Sequence, residues 1–412
     1  MKGFRTLLLV ILLMLAASVP AQTWELAATI TNAAQNAYQG ESLVSVAGSA
    51  DGRQLFITSE GMINPNAPFI SPLFISIDAG NTWVPRFTWD DGFGSFGFYY
   101  WTGWVSIAAS ANGNKLVVSR PVTPSGNEIF VSTNAGMDWN VIDTSAYGEF
   151  GQMVSSADGS ILAAVGDDIY VSTNSGATWT ANTDSWNWTS VAMSADGSKI
   201  VATSIGRNNP IYVSTNYGAT WSATAAPNEY WWSVASSADG NRIVAVSVIP
   251  DGHIITSTNS GTTWNVTSAP DTNWCSVASS ADGSTLVAAV NGGQLFISTN
   301  SGTTWAESTL PPCTWNQVVC SADGGNLVAI STDGKIYAAR SIRQPPLSVQ
   351  AARPALTISW TIPSTNFVLQ QSADLLAWAD VTNPPVLNLT NLQHQVTLPP
   401  AGTSGFYRLK TP

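Results

Sequence analysis

One eight-residue pattern recurs along this chain. STNSGTTW stands at Ser257–Trp264 and again, unchanged, at Ser298–Trp305, with near-copies at Ser76–Trp83, Ser132–Trp139, Ser172–Trp179 and Ser214–Trp221. A second motif, SADG or SANG, alternates with it and begins at Ser49, Ser110, Ser156, Ser194, Ser237, Ser280 and Ser321. Its third residues are 61, 46, 38, 43, 43 and 41 positions apart. Self-similarity at such a period restricts the chain to a repeat architecture, in which each unit buries its apolar face only against its neighbours.

The unit Trp274–Thr309 shows the internal grammar. CSVAS reads as a strand, SADG turns the chain, TLVAAV is a second strand, NGG turns again, QLFIS is a third, and STNSGTTW leads into a fourth. Asp-Gly between apolar strands signals a hairpin, because glycine accepts the positive φ that the turn or its bulge requires. Four antiparallel strands per unit, with no helical periodicity, describe a propeller blade. Seven SADG turns against six complete boxes point to the closure. The last unit, Trp315–Ala339, lacks a fourth strand, and Thr23-Trp24 matches the Thr-Trp that opens that strand at Thr304-Trp305. The expected fold is therefore all-β: a seven-bladed propeller over residues 22–340, sewn shut by an N-terminal strand at 23–28. A stiff linker at 341–346 containing Gln344-Pro345-Pro346 follows, then a small sandwich-like β-domain at 347–412.

Lys2 and Arg5 precede the apolar run Leu7–Ala17, and Val19-Pro20-Ala21 places small residues at a cleavage site. That pattern predicts a signal peptide over residues 1–21 and an exported chain, extracellular or at the cell surface. No later run approaches the length of a membrane helix. The net charge of −11 becomes −13 without the leader, and an acidic chain poor in Lys and Arg is unsuited to neutralising phosphates, which excludes nucleic acid as a partner. The cysteines Cys275, Cys313 and Cys320 form no disulfide framework. Cys313 and Cys320 share one expected strand and would lie about 23 Å apart, too far to bridge. Neither His253 nor His394 has ligand spacing to a cysteine, so no metal is expected, and no cofactor motif is present.

The pattern S-x-D/N-x-G-x-x-W resembles the Asp-box of BNR-repeat proteins, a group with sialidases, xyloglucan-active glycosidases, sortilin-like receptors and photosystem II assembly factors. The resemblance covers residues 23–340 and implies that each box is a structural hairpin on the blade side away from the usual active site. The residues agree: Asp or Asn can accept bonds from the turn's own backbone, Gly takes positive φ, and Trp packs over the hairpin. Here only Asp78 is acidic, with Asn134, Asn174, Asn216, Asn259 and Asn300 in the other boxes. The tail, with FVLQQSADLLAWADV and GFYRLK, resembles a C-terminal module of secreted proteins from Verrucomicrobia-type bacteria, which implies extracellular placement.

On the opposite face one feature is regular. Eight residues before each third residue of SADG or SANG stand Leu43, Trp104, Phe150, Trp188, Trp231, Trp274 and Trp315, with Phe98–Trp101, Tyr147, Trp186, Tyr230 and Trp232 nearby. These rings either pack blade against blade or form an aromatic platform for a sugar or peptide. The ligand-binding candidates on the second reading are Tyr100, Trp101, Trp104, Trp188, Tyr230, Trp231, Trp274 and Trp315. Sialidase chemistry, as the resemblance describes it, needs an arginine triad, a Tyr–Glu pair and an Asp acid/base. Arg53 and Arg242 follow SADG turns on the wrong face, Arg86 lies on an outer strand, and only Arg120 and Arg207 fall in suitable loops. A glycosidase of another type needs two carboxylates roughly 5–10 Å apart. The loop acids Asp90, Asp91, Asp167, Asp168, Glu229, Asp251, Asp271 and Asp333 supply candidates. The leading expectation is an exported binding or scaffold propeller without catalytic residues, engaging a glycan or protein through the aromatic face. The alternative is a polysaccharide hydrolase of xyloglucanase type, and a sialidase is less favoured than either.

Overall fold

The computed structural model describes residues 9–12, 23–29, 42–60, 72–88, 105–122, 126–142, 144, 147–148, 150–182, 187–205, 210–340, 347–352, 355–361, 368–373, 377–388, 392–398 and 404–410. Among these every regular element is a strand. The strands pair into consecutive four-stranded antiparallel sheets whose first members are Ser42–Gly48, Ser106–Ala109, Phe150–Ser155, Trp188–Met193 and Trp231–Ser236. Two further sheets, starting at Trp274–Ser279 and Cys313–Cys320, are joined at one edge. There the Leu286–Gly293 strand runs on past its own sheet, setting Asn291 opposite Thr314 and Gly293 opposite Cys313. The NGG segment is thus part strand, with Gly292 at φ 70°. The architecture is that of a β-propeller.

The last of these sheets is completed from the other end of the chain. Thr23–Thr29 lies antiparallel to Lys335–Arg340, from Thr23 opposite Arg340 to Thr29 opposite Lys335. The first strands neighbour one another in chain order, and Cys313–Cys320 returns to Ser42–Gly48. Two sets of hydrogen bonds hold this ring. In the first, the SADG or SANG alanine amide of each unit donates to the alanine carbonyl of the next: Ala50 to Ala111, then Ala157, Ala195, Ala238, Ala281 and Ala322, and from Ala322 back to Ala50, at 2.7–2.9 Å. In the second, a Ser or Gln of each first strand accepts from the backbone of the next. Ser45, Ser106, Gln152, Ser190, Ser233, Ser276 and Gln317 accept from Ile107, Met153, Val191, Val234, Val277, Val318 and Val46. The motif S-V-A-S-S-A-D-G therefore satisfies buried polar groups between sheets as well as turning the chain.

Each eight-residue box is a self-bonded hairpin. In the Ser257 box, the Ser257 hydroxyl donates to Asn259 Oδ1 and accepts from the Gly261 amide, while the Thr263 amide donates to Asn259 Oδ1. The fourth and fifth box residues both take positive φ, Ser260 at 53° and Gly261 at 82°. The indoles of Trp83, Trp139 and Trp179 donate to the box glycine carbonyl at 3.1 Å. Cationic side chains just after the SADG or SANG turns reach the box of the next unit: Lys115 to Ser175, Lys199 to Ser260 and Arg242 to Ser301. The boxes and the SADG turns lie at one end of every sheet, and all of this polarity is spent on scaffold.

After residue 346 a four-stranded sheet and a second sheet with three strands from this part of the chain share one apolar cluster, with Leu356, Ile358, Trp360, Val396 and Leu398 from one and Leu369, Tyr407 and Leu409 from the other. One edge of the second sheet is Leu9–Leu12, paired in parallel with Ser404–Tyr407. Those four residues fall in the expected leader, and here they are extended backbone on a sheet edge. No helix among the described residues is long and apolar enough to cross a membrane.

Candidate functional site

The face opposite the boxes is built from the segments entering each first strand and the hairpins joining second to third strands. The aromatic at the head of each first strand is followed by a β-bulge, as the register shifts between Trp188 and Ser190, Trp231 and Ser233, Trp274 and Ser276, and Trp315 and Gln317 show. The aromatic itself turns into the seam between sheets. Trp231 and Trp274 are fully buried, Trp315 is 3% exposed and Trp188 7%. Trp188, Trp274 and Trp315 meet Tyr212, Phe296 and Tyr337 edge-on at 5.3–5.4 Å. The Trp231 indole donates to the Pro227 carbonyl and the Trp315 indole to the Gly293 carbonyl. These four rings are inter-sheet core, and their faces are closed to a ligand. That corrects the platform reading for Trp188, Trp231, Trp274 and Trp315. Tyr230 differs, at 46% exposed. Tyr100, Trp101 and Trp104 lie outside the described residues, as do Asp90, Asp91, Trp186 and Arg207.

The bulged residue just after the aromatic carries a position-specific rule. Thr189 Oγ1 donates to the Trp231 carbonyl at 2.8 Å, Asn316 Nδ2 to the Leu43 carbonyl at 2.6 Å, and Cys275 Sγ lies 3.6 Å from the Trp315 carbonyl. Each uses a small polar group to latch the next unit. The same slot in the Trp231 unit holds Trp232, whose side chain is 40% exposed. The preceding position departs too: Asn187, Asn273 and Thr314 stand where this unit has Tyr230. Two large rings thus flank a buried tryptophan at positions where sister units keep small side chains. The signal was present in the aligned repeats WTSVA, WWSVA, WCSVA and WNQVV. The recurring tryptophans mark the scaffold of the repeat, and the extra rings Tyr230 and Trp232 mark the unit that departs from it.

Polar groups are organised beside these rings. Glu229, next to Tyr230, places Oε1 2.8 Å from His253 Nδ1, and its Oε2 accepts from Ser247 Oγ at 2.6 Å. The His253 amide donates to Ser247 Oγ, and His253 Nε2 lies 3.7 Å from Asp271 Oδ1. Asp251 and Asp271 are exposed. Their loops are drawn together at Gly252, whose carbonyl accepts from the Thr272 amide at 3.0 Å. A Cβ at Gly252 would stand 2.5 Å from the Ser247 carbonyl oxygen and 2.8 Å from that of Thr272, so only glycine allows this approach.

The other loop acids are engaged separately. Asp167 accepts from Tyr170 Oη, whose ionisation burial and the Asp167 bond both oppose. Asp168 Oδ1 accepts from the Ile169 amide. Asp333 is paired with Lys335, and its carboxyl is held below the ordinary range: burial opposes ionisation, but bonds from Lys335 and Ser331 outweigh it. Arg120 is buried at the end of its strand and paired with Glu128 at 3.1 Å. Arg242 is bound to a box on the opposite face. Cys275, Cys313 and Cys320 are free thiols, and Cys313 and Cys320 share one strand as expected; burial pushes the Cys275 thiol up to about 12. Among the described residues no group of three or more His, Cys, Asp or Glu is placed to hold a metal ion. At the centre of the ring the first strands enclose a channel of about 330 Å³, with Gln152 and Gln317 among its lining residues.

No protein-family model and no curated protein matches the sequence. Solved structures resemble the fold. YCF48 bound to D1 peptide aligns over 78% of this chain and 99% of its own, with TM-score 0.55 and 17% identity. YCF48 from Cyanidioschyzon merolae aligns over 77% and 98%, with TM-score 0.55 and 15% identity. The GH74 xyloglucanase from Xanthomonas campestris aligns over 82% of this chain but 59% of its own, with TM-score 0.55 and 14% identity. At these identities the likeness is one of fold.

Proposed function

We propose that this chain is an exported, seven-bladed Asp-box propeller that binds a glycan or a protein on the face opposite its boxes, without catalysing a reaction. The observation that carries the reading is Trp232, an exposed indole in a slot that sister units use to latch blade to blade. Tyr230, two residues before it, is exposed as well, and the adjoining Glu229 is fixed in an array with His253 and Asp271, so aromatic surface and placed polar groups occur on one segment, as recognition sites use them. The closed run of seven alanine-to-alanine bonds supports the blade number. Lys2, Arg5 and the run Leu7–Ala17 support export. Structural likeness to YCF48 bound to D1 peptide and to a GH74 xyloglucanase is compatible with a peptide or a polysaccharide as ligand.

Trp231 is the wrong residue with which to test this, because its loss opens the core. Trp232→Ala and Tyr230→Ala should leave the melting temperature unchanged and abolish capture of partners on glycan arrays and in pull-downs. Retained binding by both folded variants would end the proposal for this rim. The hydrolase reading draws on Glu229 and Asp271, two carboxylates on either side of one imidazole. His253 occupies the space a glycosidic oxygen would need between them. Release of reducing sugar from a xyloglucan panel, lost in Glu229→Gln, would establish that reading instead.

A further inference from the structure

We infer that the Trp232 rim takes a protein segment bearing lysine or arginine, an inference that rests on the binding role proposed above and names the ligand's chemistry. Tyr230 and Trp232 present π surface to solvent, and the charges around them have one sign. Glu229, Asp251 and Asp271 are carboxylates, and the one basic group among them, His253, is held by Glu229. Both Glu229 oxygens are engaged, which holds that carboxyl in place. Asp251 and Asp271 are the exposed ones, Asp271 also 3.7 Å from His253 Nε2, on loops pinned together by the Thr272-to-Gly252 bond.

The strong cations described elsewhere on this face are already spent, Lys335 on Asp333 and Arg120 on Glu128. The boxes' face is different: Lys115, Lys199 and Arg242 lie among its aspartates. The rim is therefore acidic where the opposite face is mixed. An ammonium or guanidinium over an indole or phenol, with carboxylates at its edge, satisfies both features at once through cation–π attraction and charge-assisted hydrogen bonds. A neutral sugar would use the rings and leave the carboxylate charge uncompensated. An acidic ligand would be repelled.

The test uses the full chain and short Gly-Ser peptides that carry Lys or Arg, their Glu-substituted counterparts, and neutral xylogluco-oligosaccharides, with binding followed by fluorescence anisotropy. The Lys and Arg peptides should bind, weaken as salt is raised, and lose about tenfold in affinity in Trp232→Ala. Asp251→Asn with Asp271→Asn should weaken binding and flatten the salt dependence, while thermal melts show each variant folded. Binding of the Glu peptides at equal strength, or a salt-independent affinity, would overturn the inference. Trp232-dependent binding of the oligosaccharides without the basic peptides would overturn it while leaving the rim a binding site. Trp232-independent behaviour of every probe would remove both readings.

Discussion

Trp231 and Trp232 are adjacent in sequence and opposite in role. The bulge between Trp231 and Ser233 turns the first ring into the seam and leaves the second at the surface. Trp231→Ala should cost about 3–5 kcal/mol by the cavity it leaves, whereas Trp232→Ala should stay within about 0.5 kcal/mol of the parent; denaturant unfolding of the two variants separates them. Asp78 offers a second contrast, as the acidic member among boxes that otherwise carry Asn. Bonds from the Thr82 side chain and amide hold its carboxyl down at about 2, against an ordinary 3.8. A carboxyl depressed in the folded state stabilises above its unfolded value and loses that contribution as pH falls through its folded value. The loss should therefore lie between pH 3.8 and about 2. Asn accepts the same backbone bond without titrating, so Asp78→Asn should melt less pH-dependently over that window. The SADG aspartates do not obscure the comparison. Asp158, Asp196 and Asp239 are also lowered, with burial opposed and outweighed by serine, asparagine and backbone bonds, but they are common to both proteins.

At the scale of elements, the sheets after residue 346 contain a built-in sensitivity to acid. His394 lies on Gln393–Leu398 against Trp360, with both ring nitrogens buried and without a hydrogen-bond partner. Burial alone lowers its pKa below 6.5. The unfolded chain then binds a proton more readily than the folded one, so stability is full above pH 6.5 and declines as pH falls below it. Hydrogen-exchange protection in Ala355–Thr361 and Gln393–Leu398, taken relative to the intrinsic amide rates, should fall between neutral pH and pH 5, and His394→Phe should suppress the fall. An equal fall in protection in the two proteins would show that the imidazole does not set the effect. The alternation in Ala355–Trp360 is legible in sequence as a strand, and Ala355–Thr361 is one. The pairing of Leu9–Leu12 with Ser404–Tyr407 is not legible, because a parallel edge contact between distant segments leaves no periodic trace in either.

For the whole molecule, the ring depends on its ends meeting. Thr23–Thr29 covers the Lys335–Arg340 edge, and the Arg340 side chain reaches on to Asn81 and the Ala79 carbonyl in the first box. Deleting residues 23–29 exposes a strand edge that other chains can pair with. The truncated protein should melt at lower temperature and associate in size-exclusion chromatography; a monomer of unchanged stability would show that the alanine and Ser/Gln rings suffice for closure. Those rings repeat one modest bond, each worth about 0.5–1.5 kcal/mol net, at every junction. Such a frame can carry one altered rim without losing its shape.

The repeat, the turn chemistry and the missing fourth strand were determined by sequence alone, because each is a local rule of backbone conformation written many times: Gly where φ is positive, Asx where a turn needs an acceptor, apolar residues where a strand is buried. The box hairpins and the N-terminal closure follow from that local grammar. Only the tertiary structure decided which aromatics are core and which are surface. A tryptophan has the same identity in both places, and its exposure is set by the bulge between Trp231 and Ser233, where the strand pairs with Ser247 and Val246, and by the preceding unit's Ala192, Val201 and Ile211, which pack against the buried ring. The same holds for Glu229, His253 and Asp271, which belong to separate loops and become one array only when the sheet brings those loops to the same rim.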